Sequence, residues 1–275
     1  MSHDPGHDET GHDETGKVSF DHIYVADDPR PYFRTLRRYG YVIPELARPH
    51  FARLVEEYRE TRGVAVPTVL DVGCSYGVNA ALLRCDVTLA ALYDRYGAGD
   101  EPRDALVAAD RELVAATRTA RVRVVGLDAS AAALAYAVDA GFLDDGVVAD
   151  LESGELTARQ RAQLAGADLV VSTGCIGYVT EKTLLRIVDA AGGRLPWMAH
   201  VCLRMFPFDT IAGHLDDLGY ETVAVGEPLR QRRFASEREQ ELVLERLAEL
   251  GVADAGESGG WLYARLYVSR PVGEG

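Results

Sequence analysis

The sequence has no apolar run of about 18 residues, the length a helix needs to cross a bilayer. Its first residues are acidic and His-rich rather than basic and then apolar, so neither a membrane span nor a secretory signal is expected. Positive charge is scarce: 29 Lys and Arg stand against 43 Asp and Glu, and a formal charge of -14 repels a phosphate backbone. Nucleic acid is therefore not an expected partner. The four cysteines, Cys74, Cys85, Cys175 and Cys202, form no CxxC pair and lie in or beside apolar runs. They read as reduced, packed thiols in a cytoplasmic protein. HExxH, GxSxG and any convincing nucleophile triad are also missing, so zinc-protease and serine-hydrolase chemistry is not expected, and no metal ligand set is assigned.

What is present is a chain of 275 residues, 47% hydrophobic and 26% charged, enough for one enlarged α/β domain with its own core. Residues 1–16 carry a tandem GHDET repeat with little to bury, and are expected to be a disordered acidic, His-containing tail. Residues 17–65 read as a helical cap: PYFRTLRRYG predicts a short helix and LARPHFARLVEEYRETRG a longer amphipathic one. From residue 66 to 275 short β-branched runs alternate with helical stretches. Strands are expected over Thr68–Gly73, Val122–Asp128, Gly146–Asp150, Ala167–Thr173, Trp197–Phe206, Glu221–Gly226 and Trp261–Ser269. Near-continuous apolar strands such as ADLVVST belong in a parallel sheet covered on both faces. The expected fold is a doubly wound α/β domain with two helical insertions, one over Tyr93–Arg121 and one over Ser236–Leu250.

The strongest chemical signal is Val69-Leu-Asp-Val-Gly-Cys-Ser-Tyr-Gly77, an apolar strand that ends in glycines and runs straight into the helix VNAALL. Glycines at a strand-to-helix turn let backbone amides approach a ligand closely. The spacing is not GxGxxG, and on its own it is also compatible with a plain tight turn. The next strand, VRVVGLD, ends in Asp128, an acid placed to accept hydrogen bonds from two ribose hydroxyls. Together the two motifs suggest a nucleoside ligand.

On these residues the chain resembles the class I S-adenosylmethionine-dependent methyltransferases, over roughly residues 66–270. Asp71, Gly73, Cys74, Ser75 and Gly77 match that family's acidic, glycine-rich first loop, with Ser75 standing where the middle glycine would be. Asp128, followed by Ala129, matches its ribose-binding acid. Asp150 and Leu151 resemble its adenine-edge pair, and Asp168 to Gly174, with Thr173 and Gly174 at its end, resembles the fourth-strand motif. The resemblance implies a mostly parallel, seven-stranded Rossmann-like sheet and S-adenosylmethionine (SAM) as cofactor, with S-adenosylhomocysteine (SAH) as product. Asp71 and Asp128 lie much further apart than the about 20 residues of a plain βαβ unit; the first insertion explains the difference.

The sulfonium methyl is already activated, so positioning and desolvation dominate and a catalytic motif is not required. Tyr178, beyond the fourth strand, is the candidate catalytic residue, through a hydrogen bond or its ring face; a packed loop aromatic is the alternative. Candidate substrate contacts are Tyr24, Tyr32 and Tyr41 in the cap, and Arg204 and Phe206 at the end of the fifth strand. Arg204 suits a substrate carboxylate or an ion pair with the acidic surface. His200 lies deep on its strand and reads as a core histidine, and Arg230-Gln-Arg232-Arg233 reads as a solvated charged turn. The expected reaction is methyl transfer to a small-molecule acceptor of amino-acid or secondary-metabolite origin. Two other readings remain: a SAM cyclase releasing methylthioadenosine and azetidine-2-carboxylate, and a non-catalytic SAM-binding protein. Oligomeric state is not legible.

Overall fold

Apolar residues at consecutive strand positions fall into two separate clusters, which is what alternation across a sheet covered on both faces requires. Val69, Val124, Leu169 and Val171 belong to one cluster, and Leu70, Val125, Val170 and Met198 to the other. In the computed structural model, which describes residues 20–274, the strands are β1 (Thr68–Val72), β2 (Arg123–Asp128), β3 (Asp145–Val148), β4 (Leu169–Thr173), β5 (Trp197–Leu203), β6 (Tyr220–Arg233) and β7 (Trp261–Pro271). They form one sheet in the order β3-β2-β1-β4-β5-β7-β6. The first five pair in parallel, and β7 runs antiparallel to both β5 and β6. The expected doubly wound seven-stranded sheet is present. The GHDET repeat lies outside the described residues.

The helices are α1 (Asp21–Tyr24), α2 (Arg30–Arg38), α3 (Ile43–Arg62), α4 (Val78–Arg84), α5 (Leu89–Gly97), α6 (Arg103–Thr117), α7 (Ala131–Asp139), α8 (Ala158–Leu164), α9 (Glu181–Ala190), α10 (Asp209–Asp217) and α11 (Glu237–Glu249). No helix among the described residues is long and apolar enough to cross a membrane. The helix that begins with VNAALL ends at Arg84, and a second helix follows from Leu89. Cys85 is extended and bridges Arg118, and Thr88 caps a new helix by accepting from the Ala91 amide at 3.1 Å.

The larger departure from expectation is β6. The strand was expected to stop at Gly226, but it continues through Pro228 to Arg233, with register shifts between Val225 and Leu229 and between Arg230 and Arg232. An edge strand with bulges tolerates proline, because the missing N–H is not needed by a neighbour. The segment Arg230–Arg233 is thus strand and not a solvated turn. Gln231 and Arg232 are each only 2% exposed. Arg232 is neutralised by Glu239 of α11, with Nη1 and Nη2 at 2.9 and 2.6 Å from the carboxylate oxygens.

Two features place the ligand region. The chain reverses its direction of strand addition between β1 and β4, and open sheets bind ligands beyond the carboxyl ends of the strands at such a point. Residues 20–42 run across those same ends. Tyr76, after β1, donates its hydroxyl to the Ala26 carbonyl at 2.8 Å, and Ser130, after β2, donates to the Tyr24 carbonyl at 2.7 Å. The linker between α2 and α3 then pairs with the outer edge of β6, the Arg233 amide donating to the Tyr39 carbonyl (2.7 Å) and the Val42 amide to the Gln231 carbonyl (2.9 Å).

Candidate functional site

The loop after β1 contains three positive-φ residues, Gly73, Ser75 and Gly77, a conformation that glycine or tight bonding must supply. Gly73 has φ +66°, and a Cβ there would lie 2.7 Å from Cys175 Cβ, so no larger residue fits without movement. Ser75 has φ +47° and is the one non-glycine residue with positive φ among the described residues. Its backbone has the conformation a glycine would adopt freely, held here by an amide that donates to Asp128 Oδ2 at 2.8 Å. Its hydroxyl is buried and has no hydrogen-bond partner.

Asp128 joins this loop to the start of α7. Its second oxygen accepts from the Ser130 amide at 2.8 Å, and burial raises its pKa against the opposing pull of the Ser130, Ser75 and Ala129 amides. Each carboxylate oxygen keeps a further lone pair for a ligand hydroxyl. Asp150 is more exposed; the Ser153 hydroxyl (2.6 Å) and the Glu152 amide (3.0 Å) hold its pKa below the ordinary range. Asp128 and Asp150 both face one cavity of about 470 Å³, whose walls also include Gly73, Cys74, Ser75, Ala129, Leu151, Thr173 and Gly174. That volume falls in the range of cavities that take small ligands.

Asp71 and Gly77, expected at the ligand, stand behind this wall. Asp71 is fully buried, and its pKa is pushed up to about 7 by burial, with the Asn79 hydrogen bond opposing and Asp128 adding to the rise. It acts through Asn79, whose amide nitrogen donates to Asp71 Oδ1 (2.9 Å) and to Thr173 Oγ1 (3.0 Å), fixing the end of β4. A Cβ at Gly77 would meet Ala137 and Phe142, so this glycine allows α4 and α7 to approach.

The opposite wall is aromatic. Tyr24, Tyr32 and Tyr41 from residues 20–42 line the cavity, with Phe20 beside them, and Tyr178 borders it from the β4 side, 46% exposed. Tyr24 meets Tyr32 edge to face at 5.7 Å. Burial raises the Tyr32 and Tyr41 pKa values well above the ordinary phenol range, so both hydroxyls stay neutral.

Two expected substrate contacts are elsewhere. Arg204 is buried and pairs with the buried Glu257 through Nη1, at 2.7 and 2.9 Å from its two oxygens. Its guanidinium is committed to holding the turn before β7 and is not on the cavity wall. The Phe206 ring packs against Gly177, where an added Cβ would lie 2.5 Å from it; it supports the Tyr178 loop from behind. His200 is fully buried, with Nδ1 2.8 Å from the Ser172 hydroxyl, and burial alone lowers its pKa to about 4. It is a neutral core histidine.

Sequence reasoning missed Asn79, Ser130, Glu152, Gln231 and Arg232, all of which line the cavity. Asn79 sits two residues after the glycine loop and Ser130 two residues after Asp128, so their positions carried a signal. Glu152 accepts from the Thr180 amide and hydroxyl at 2.9 and 2.7 Å and from the Thr183 hydroxyl, which ties the β3 and β4 loops together.

The sheet order with β7 reversed between β5 and β6, and a glycine loop and a strand-end acid meeting over one cavity, decide the architecture. The chain has a class I methyltransferase-like fold, a doubly wound seven-stranded sheet with one strand reversed. Its sequence matches no family model and no curated protein. Among solved structures it is similar to the plantazolicin methyltransferase BpumL in complex with SAH, at 11% identity, covering 90% of this chain and 93% of that one, with a TM-score of 0.41. It is similar also to a TehB-like SAM-dependent methyltransferase from Corynebacterium glutamicum, at 16% identity, covering 81% and 96% of the two chains (TM-score 0.38). A third is the magnesium protoporphyrin IX methyltransferase of Synechocystis with bound SAM, at 11% identity, covering 80% and 78% (TM-score 0.37). Within this fold the cavity lies where the β1 and β4 ends diverge.

Proposed function

We propose that this protein is a SAM-dependent methyltransferase acting on a small-molecule acceptor. The observation that carries the reading is Asp128 joined to the Ser75 amide at the rim of a cavity whose floor is the glycine loop and whose far wall is aromatic. The residues fit the cofactor. Gly73 leaves the backbone bare where a Cβ would clash, the Ser75 hydroxyl is an unpaired buried group at the wall, and Asp128 offers two oxygens toward a ribose. Asp150 and Leu151 would border the adenine, with Thr173 and Gly174 at the other end.

When bound, SAM supplies a methyl group on a positively charged sulfur, ready for in-line attack. The protein's own work is positioning and exclusion of water. Tyr24, Tyr32 and Tyr41 border the cavity with neutral rings, whose faces would help hold the cofactor's positively charged sulfur when it is bound. Tyr178 stands at the open side as the residue best placed to touch an incoming acceptor. Among the described residues no carboxylate or histidine stands on the aromatic wall, which suits an acceptor atom that is itself a nucleophile at neutral pH.

Titration calorimetry with SAH tests the cofactor; absence of binding at millimolar SAH would refute the reading. Product analysis tests the reaction: SAH formed only when an acceptor is supplied supports methyl transfer, whereas acceptor-independent methylthioadenosine would support the cyclase reading instead.

A further inference from the structure

In β6, Arg230 stands opposite Tyr263 and Arg232 opposite Leu262, so Gln231 is the extra residue of a β-bulge. A bulge breaks the strict alternation of a strand and re-aims a side chain. Here it brings two consecutive residues, Gln231 and Arg232, to the same cavity wall. Only one of them has its bonding completed by the protein. The Arg232 guanidinium is neutralised by Glu239, and both are buried. Gln231 is fixed by its backbone carbonyl, which accepts from the Val42 amide, and its Nε2 lies 3.3 Å from where a Gly174 Cβ would be. Its Oε1 is buried and has no hydrogen-bond partner.

Buried polar atoms are almost always paired, and one left unpaired inside a cavity points to a group that arrives with the ligand. Among the described residues the rest of this wall is made by the Phe20, Tyr24, Tyr32 and Tyr41 rings with Val25, Leu36 and Pro44, and it carries no further charged side chain. A carboxylate or ammonium placed against it would lose its water without gaining a counter-ion. We infer that Gln231 is the recognition residue of the acceptor subsite, and that the acceptor is an uncharged, ring-bearing molecule whose N–H or O–H donates to Gln231 Oε1. The acceptor role rests on the methyltransferase reading above; the ligand preference of the pocket does not.

Indole, 1-methylindole and indole-3-carboxylate are suitable probes, since they share one ring system and differ in the donor or the charge. Their affinities are measured by ligand-observed NMR on the full chain, with and without SAH, and SAH binding is followed separately by calorimetry. Indole is expected to bind at least about tenfold more tightly than 1-methylindole, the loss typical of one unpaired buried group, and more tightly than the carboxylate. In Gln231→Leu, and in the closer isostere Gln231→Met should the first fail to fold, the indole preference should disappear. Equal binding of indole and 1-methylindole by the wild type, a preference that persists in the variants, tighter binding of the carboxylate, or no binding of indole would each overturn the inference. Loss of SAH binding alone would overturn the methyltransferase reading and leave the indole comparison readable.

Discussion

The two walls of the cavity are built by different means. The wall of Gly73–Ser75 and Asp128 is made by backbone amides within a few residues of strand ends, and its side chains are held by short local bonds. The aromatic wall is assembled from residues 20–41 and from the far end of β6, and it depends on contacts made across the whole chain. The first kind of wall fits a ligand that recurs in many proteins, because a strand-turn-helix unit reproduces it. The second can change without disturbing the first, and it is where acceptor choice belongs.

The sharpest way to break the comparison is through the ion pair under the aromatic wall. Arg232→Met removes the guanidinium that pairs with the fully buried Glu239, and removing one partner of such a pair costs about 3–5 kcal/mol. Urea unfolding should show that loss. The double variant Arg232→Met with Glu239→Leu should recover most of it, because a packed apolar pair carries no stranded charge. A double variant as unstable as the single one would show that the pair is not what holds this end of β6.

A second test concerns two buried groups behind the walls, which respond to pH in opposite directions. Native His200 takes up a proton only near pH 4, against an ordinary 6.5, so between those values the unfolded chain binds more protons and stability falls as pH drops. Native Asp71 keeps its proton up to about pH 7, against an ordinary 3.8, so over nearly the same window stability rises as pH drops. The contributions oppose each other in the wild type. Asp71→Asn should expose the His200 slope, a loss of about 3 kcal/mol on going from pH 6.5 to 4, and His200→Leu should expose a gain of similar size. Unfolding curves at a series of pH values check both. If neither variant changes the pH dependence, neither group titrates as its burial implies.

On the backbone-built wall the effect is smaller and falls on binding. Asp128→Asn keeps the shape but loses the charge and one acceptor, and the affinity for SAH should drop by about 1–3 kcal/mol, roughly 5- to 150-fold. Gln231→Leu, on the other wall, should leave SAH binding nearly unchanged. Equal losses in the two variants would merge the walls into one site and end the comparison.

The same division explains what could be read from the sequence. The β1 loop, Asp128 and the end of β4 follow apolar strands directly, so strand pattern and glycine position locate them. The placement of Arg204 depends on Glu257, more than fifty residues away, and no local pattern indicates that this arginine is already paired. Gln231 was hidden for a different reason. Period-two counting along β6 fails at its two register shifts, and four polar residues in a row give no sign that the middle two are buried. Asp71 was legible as part of a motif, but its retreat behind Asn79 is a matter of packing that the motif does not encode.

The smallest predicted effect bears on why the backbone-built wall tolerates a departure from its own pattern. Ser75 holds φ +47°, which costs a non-glycine residue about 1–2 kcal/mol. Against that, glycine would add flexibility to the unfolded chain, worth about 0.4–1 kcal/mol. Ser75→Gly should therefore stabilise the protein by about 1 kcal/mol or less, read as a small rise in the urea midpoint. The hydroxyl it removes is buried and unpaired in the free protein, so its loss also relieves a desolvated group. If that hydroxyl donates to the bound cofactor, SAH affinity should fall as stability rises. Opposite signs in the two measurements would mark strain retained for binding, whereas a gain in both would make Ser75 a neutral replacement of the glycine.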